Sequence, residues 1–212
     1  MNTTYPPNFA GVILAGGESK RMGTPKALKI WQGKPLLQHA IDKMTSIFPR
    51  VYIIESRRTF FHLRFFHPNV RWILDEKEFQ GPLQAMVTAT MEITEEKLFF
   101  CACDMPQIQG QVIHSICDAL QKKTLAAIPV IHGVWQPLFA AYWRQRLLQA
   151  ILANPIGDKG PTQILKKIED QILLLPETLF RPQDPHLENW IQLNYPFDPI
   201  QPKALWLQYD VR

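Results

Sequence analysis

Short apolar runs alternate along this chain with stretches whose apolar residues recur at helical spacing, and that alternation restricts the fold more than any other feature. FAGVILA (9–15) precedes PLLQHAIDKMTSIF (35–48), where Pro35 suits a first helical turn. VYIIES (51–56) and VRWIL (70–74) read as strands, and Gly81-Pro82 opens a helical pattern through LQAMVTATMEI. KLFFCAC (97–103) is an apolar strand ending at Asp104, followed by a helix in IQGQVIHSICDALQKK and a strand in TLAAIPVI. His132-Gly133 turns the chain into WQPLFAAYW (135–143), which predicts an antiparallel member of the sheet, and RQRLLQAIL reads as the helix after it. Beyond a Gly- and Pro-rich loop, PTQILKKIED (161–170) reads as a helix, and QILLLP (171–176) and WIQLN (190–194) as late strands. Strands this continuously apolar are buried on both faces. The expected class is therefore α/β: a three-layer, Rossmann-like fold with a mostly parallel central sheet and helices on both sides.

A chain of 212 residues, 46% hydrophobic, can bury a full core and is expected to form one domain over 1–212. No run reaches the ~18 apolar residues of a membrane span, and MNTTYPPNFAG lacks the basic-then-apolar order of a secretory signal, so a cytoplasmic protein is expected. Cys101, Cys103 and Cys117 are too few and too clustered for a disulfide framework. In a strand, Cys101 and Cys103 share one face and pack there. The 23 basic and 19 acidic residues leave +4, which suits an anionic small molecule, and no nucleic-acid-binding motif occurs. The aromatic residues of 58–72 and 187–195 read as core, with the lining of a ligand pocket as the alternative.

The first strand runs directly into Leu14-Ala15-Gly16-Gly17-Glu18-Ser19-Lys20-Arg21-Met22-Gly23-Thr24-Pro25-Lys26. The carboxyl end of a strand is where open α/β sheets bind ligands. Gly16 and Gly17 have no Cβ, so their backbone N–H groups can approach phosphate oxygens closely, and Arg21 and Lys26 supply positive charge. The spacing is neither that of a P-loop nor G-x-G-x-x-G. Taken alone, it also fits a Gly turn flanked by surface cations.

Leu14-Ala15-Gly16-Gly17, Arg21-Met22-Gly23 and Lys26, followed by Gly33-Lys34-Pro35-Leu36, resemble the signature of the nucleotidyltransferases that include molybdenum cofactor guanylyltransferase. Asp75, Gly81-Pro82-Leu83, Asp104-Met105-Pro106, Gln136-Pro137-Leu138 and Asn194-Tyr195-Pro196 agree in order, so the resemblance spans residues 9–198. The sequence departs from that pattern at Pro25, at Ala85, in Ile53-Ile54-Glu55-Ser56 where an Asn is usual, and at Gln192.

The resemblance implies transfer of GMP from GTP to molybdenum-bound molybdopterin, with Mg²⁺ as cofactor and a recipient molybdoenzyme or its chaperone as partner. The N-terminal half would bind nucleotide and the C-terminal half the acceptor. Asp104, at the sheet edge of the Gly-rich turn, is expected to hold Mg²⁺, although an Asp before Met-Pro also forms turns. Lys26 and Arg21 would offset charge at the α-phosphate and the departing pyrophosphate. Leu14, Ala15, Gly16 and Gly17 would hold the nucleotide by their backbone. Asp75 can accept both the N1–H and the amine of guanine, while a loop carboxylate is its plainer reading. Asn194 is either an acceptor contact or a turn former. Two other activities stay open on the residues: cytidylyl or sugar-phosphate uridylyl transfer, and a non-catalytic adaptor that binds nucleotide and cofactor.

Overall fold

The computed structural model describes Tyr5 and residues 8–16, 25–56, 67–76, 81–154 and 160–192. In order, these residues form β1 (Phe9–Leu14), β2 (Ile30–Trp31), β3 (Lys34–Pro35), α1 (Leu36–Thr45), β4 (Val51–Ser56), β5 (Val70–Asp75) and α2 (Gly81–Glu92). The chain continues through β6 (Lys97–Ala102), α3 (Gly110–Ala119), β7 (Ala126–Ile131), β8 (Val134–Trp135), β9 (Ala140–Trp143), α4 (Arg144–Ala153), α5 (Pro161–Leu165) and β10 (Ile172–Pro176).

The strands lie in the order β10-β7-β9-β6-β1-β4-β5, with β8 folded back on β7. β5, β4, β1 and β6 run parallel, β9 is antiparallel to both β6 and β7, and β10 is parallel to β7. The antiparallel member expected after His132-Gly133 is thus present. His132 and Gly133, at φ 49 and 77, form the tight turn between β7 and β8, and the long run 135–143 is two strands interrupted around Pro137.

All six residues of β1 are buried, because its alternate side chains feed two separate cores. Phe9 and Ile13 join Phe99 and Cys101 of β6 under α1 and α3, which contribute Leu37, Ile41 and Met44, and Val112, Ile113 and Ile116. Ala10, Val12 and Leu14 join Leu98 and Phe100 under α2, α4 and α5, which contribute Leu83, Met86, Leu147, Ile151 and Ile164. This is the three-layer α/β arrangement expected from the alternation. Cys101, Cys103 and Cys117 are buried free thiols, all three in the same core.

Two late elements differ from the expectation. The helix read over 161–170 ends at Leu165 and continues as a 3₁₀ segment, with Ile168 at φ −125 and ψ 33. The tighter coil delivers Gln171 to its carbonyl bond with Leu125 N (2.7 Å), where β10 begins. WIQLN is not a strand as far as it is described: Trp190 closes a 3₁₀ turn, and Ile191 and Gln192 belong to no element. That turn is set by Asp184, which accepts from Glu188 N (2.8 Å), Asn189 N (2.9 Å) and Asn189 Nδ2 (2.7 Å). These bonds are local, so the backbone groups of this segment are satisfied without a sheet.

Candidate functional site

The strand order fixes where a ligand can be held. From β1 the chain moves to β4 and β5 on one side, whereas β6 pairs on the other side, so connections diverge between β1 and β6. The carboxyl ends of two such strands leave a crevice between them. Leu14 pairs with Ala102, and the ladder continues past both strands through Cys103 N to Leu14 O (3.2 Å) and Ala15 N to Ile54 O (2.8 Å). Ala15-Gly16 and Cys103-Asp104 therefore leave the sheet together.

Gly16 lies against the end of β4: a Cβ there would come within 3.1 Å of Ser56 N. A side chain at this position would push the turn off the neighbouring strand. Gly17 and Arg21 lie outside the described residues, as does Asn194. Pro25 is extended, and after it Lys26–Leu28 forms a single 3₁₀ turn with Ala27 fully buried. That turn carries the Lys26 ammonium to Asp104, and Lys26 Nζ and Asp104 Oδ2 form an ion pair across 78 positions of sequence.

Only about a tenth of the Asp104 side chain is accessible, and its second oxygen, Oδ1, is buried with no hydrogen-bond partner among the described residues. A buried carboxylate oxygen left bare costs free energy unless something electropositive meets it. This donor fits a divalent cation. No group of three His, Cys, Asp or Glu able to hold a metal occurs among the described residues. Mg²⁺ bound by one or two carboxylates with water and substrate phosphates needs no such cage. The adjacent Cys103 thiol is pushed up to about 12 by burial and by the Asp104 carboxylate, so it stays protonated and is no nucleophile at neutral pH.

Asp75, the last residue of β5, is 8% exposed at the same edge, since Ser56 of β4 pairs with it. Its Oδ1 accepts a hydrogen bond from Thr88 Oγ1 of α2 (3.0 Å), and Gln84 Nε2 reaches that hydroxyl at 3.4 Å. The structure thus brings Leu14, Ala15, Gly16, Lys26, Asp75 and Asp104 to one edge of the sheet. Gln136-Pro137-Leu138 joins them, because Ala140 pairs with Phe100 and the preceding turn must lie beyond the carboxyl end of β6.

Sequence reasoning did not single out Gln84, Thr88 or Lys29 here, and it read Glu55 only within a departure from the family pattern. Gln84 and Thr88 sit one turn apart on α2, and Gln84 is 4% exposed; a polar pair on the buried face of an apolar helix was the available signal. Glu55, 1% exposed, is a carboxylate within an otherwise apolar strand. Lys29 follows Lys26 by three positions, and its pKa is lowered by burial and by the Lys26 charge, so a second cation stands near the first. Trp190, by contrast, is core as expected, edge-on to Phe139 at 5.0 Å and tilted on Phe180 at 5.3 Å.

Residues 11–172 match the MobA-like NTP transferase domain. A protein of Nostoc sp. described as a probable molybdenum cofactor guanylyltransferase is 32% identical over 201 residues, spanning 92% of this chain and 95% of that relative. The fold is shared with the crystal structure of molybdopterin-guanine dinucleotide biosynthesis protein A from Archaeoglobus fulgidus, at TM-score 0.69 and 22% identity over 88% of this chain and 93% of that one. It is shared too with 4-diphosphocytidyl-2C-methyl-D-erythritol synthase from Anaerococcus prevotii, at TM-score 0.65 and 12% identity over 91% and 92% of the two chains.

Proposed function

The chain belongs to the MobA-like NTP transferase family, and from that premise we propose that it transfers GMP from GTP to molybdenum-bound molybdopterin, yielding molybdopterin guanine dinucleotide and pyrophosphate. The observation that carries this reading is the meeting of Lys26 with Asp104 at the divergence of β1 and β6, beside the Gly-rich turn. A phosphate oxygen of the acceptor attacks the α-phosphorus of GTP, the bond from that phosphorus to the bridging oxygen breaks, and pyrophosphate leaves with the electron pair. No protein nucleophile is needed, because alignment and charge stabilisation account for most of the acceleration in such transfers.

The backbone from Leu14 to Gly17 holds the nucleotide. Lys26 meets the charge that builds at the α-phosphate, and Arg21 meets the departing pyrophosphate. Asp75, oriented by Thr88, accepts the two hydrogens of guanine. Asp104 would hold Mg²⁺, which would supply neutralisation of triphosphate charge. The N-terminal half serves the nucleotide, and the C-terminal half supplies acceptor contacts through the turn at Gln136-Pro137-Leu138. The reaction belongs in the cytoplasm, and the product passes to a molybdoenzyme or its chaperone. No helix among the described residues is long and apolar enough to cross a membrane.

The test is stoichiometric. With GTP and Mg²⁺ present, one pyrophosphate should appear for each molybdopterin consumed, together with a dinucleotide product. Nucleotide binding without any release would make the protein an adaptor instead, and release at full rate without acceptor would make it a hydrolase.

A further inference from the structure

Burying a side-chain amide is costly unless its donors and its acceptor are engaged. Gln84 is 4% exposed near the start of α2, between the core residue Leu83 and Ala85, one of the positions where the sequence departs from the family pattern. Among the described residues its one hydrogen bond is to Thr88 Oγ1, and at 3.4 Å that bond is long. An amide offers two N–H hydrogens and a carbonyl oxygen, so most of this capacity is unspent. Neither the Lys26–Asp104 pair nor the Gly-rich turn makes use of it.

Its position and orientation are both fixed. Gln84 and Thr88 share one face of α2, and Thr88 turns that face to Asp75 at the end of β5 (3.0 Å). Because α2 begins shortly after β5 ends and packs back along β5 and β4, Gln84 lies one turn nearer the carboxyl edge of the sheet than Thr88. Thr88 has a single hydroxyl hydrogen and gives it to Asp75 Oδ1, so its oxygen can only accept from Gln84. The amide nitrogen, not the carbonyl, therefore faces Thr88, and the hydrogen-bond network rather than the shape of the side chain assigns that orientation. One N–H of this nitrogen is held by Thr88. The other is left for a ligand.

We propose that Gln84 is a specificity-determining residue whose second N–H donates to O6 of guanine. The inference rests on the guanylyl-transfer reading, in which Asp75 accepts from N1–H and the 2-amine of the same base. O6 is the remaining polar atom of that edge, and once water is excluded it needs a donor. Gln84 supplies one beside Asp75, since a single hydroxyl oxygen separates the two side chains. Adenine carries an amine in place of O6 and no hydrogen on N1, so it sets a donor against Gln84 and a bare ring nitrogen against the Asp75 carboxylate. Unpaired polar groups of this kind are what a hydrogen-bonding pocket rejects most strongly.

The test is a calorimetric titration of nucleotides, with Mg²⁺, into the full-length wild-type protein, Gln84→Ala and Gln84→Met. Met fills a similar space without the amide, which keeps the test informative should Gln84→Ala fold poorly. GTP and ITP both carry O6, whereas the triphosphate of 2-aminopurine riboside keeps the 2-amine and lacks O6. Both variants should bind GTP and ITP about three- to tenfold more weakly, the loss expected for one hydrogen bond, with the 2-aminopurine nucleotide unchanged. Equal weakening of all three ligands would reduce Gln84 to a brace for Thr88, and unchanged GTP binding would remove it from the site. Either result overturns the assignment and leaves guanylyl transfer standing. The titration needs no acceptor, so an O6-dependent loss in a protein that transfers no guanylyl group would uphold the base contact and refute the function.

Discussion

Lys26 and Asp104 carry the account at the scale of single residues, and each was legible because its type and position agree: a cation closing a Gly-rich turn, and an acid directly after an apolar strand. Their contact was not legible, since a strand order, not a spacing, brings them together. Removing one preorganised electrostatic contact typically costs about 10²–10³ in turnover. Steady-state assays of Lys26→Ala and Asp104→Asn should each show a loss of about that size in folded protein; turnover within a few-fold of wild type would remove the residue from its assigned role. Thr88 was invisible in the sequence, because its bond to Asp75 depends on how α2 docks beside β5. Thr88→Val keeps the shape and deletes that bond. It should raise KM for GTP about three- to tenfold with little change in kcat, the cost of one lost hydrogen bond, and an unchanged KM would detach Asp75 from nucleotide recognition.

Among the elements, β1, β4, β5, β6 and β7 were readable from apolar runs because strands of a mostly parallel sheet covered on both faces have no polar side to confuse the pattern, whereas the short β2–β3 hairpin was not read. The late elements were harder. WIQLN has strand-like composition, yet the segment is governed by the Asp184–Asn189 bonds and by Leu187 in the left-handed region at φ 54. Such a local polar knot leaves no periodic trace. The first strand and first helix also pack more closely than their patterns imply. A Cβ on Gly11 would lie 2.8 Å from both Met44 Cε and Phe48 Cδ2. Met44 can swing away, whereas the Phe48 ring is fully buried and wedged between Phe9 and Phe99. Gly11→Ala should therefore destabilise by about 1–3 kcal/mol, as overpacking typically does. A melting experiment should show Tm lowered by about 2–4 °C per kcal/mol for a domain of this size, and an unchanged Tm would mean that α1 has room to retreat.

For the molecule as a whole, the alternation of elements announced an α/β sheet but not its order, and the order decides the chemistry. With β6 on the far side of β1 from β4 and β5, Asp75 and Asp104 flank the turn at Gly16 from opposite sides, and the antiparallel β9 brings the Gln136 turn to the same edge. Long-range pairings of this kind are set by packing between distant segments, which a single sequence does not display. The departures at Pro25 and Glu55 fall within this edge, and their consequence would appear first in nucleotide choice. The most direct measurement is pyrophosphate release by the purified protein with Mg²⁺ and molybdopterin, one nucleoside triphosphate at a time. GTP should support release and CTP, UTP and ATP should not; equal release with CTP, or none with any of the four, would contradict guanylyl transfer.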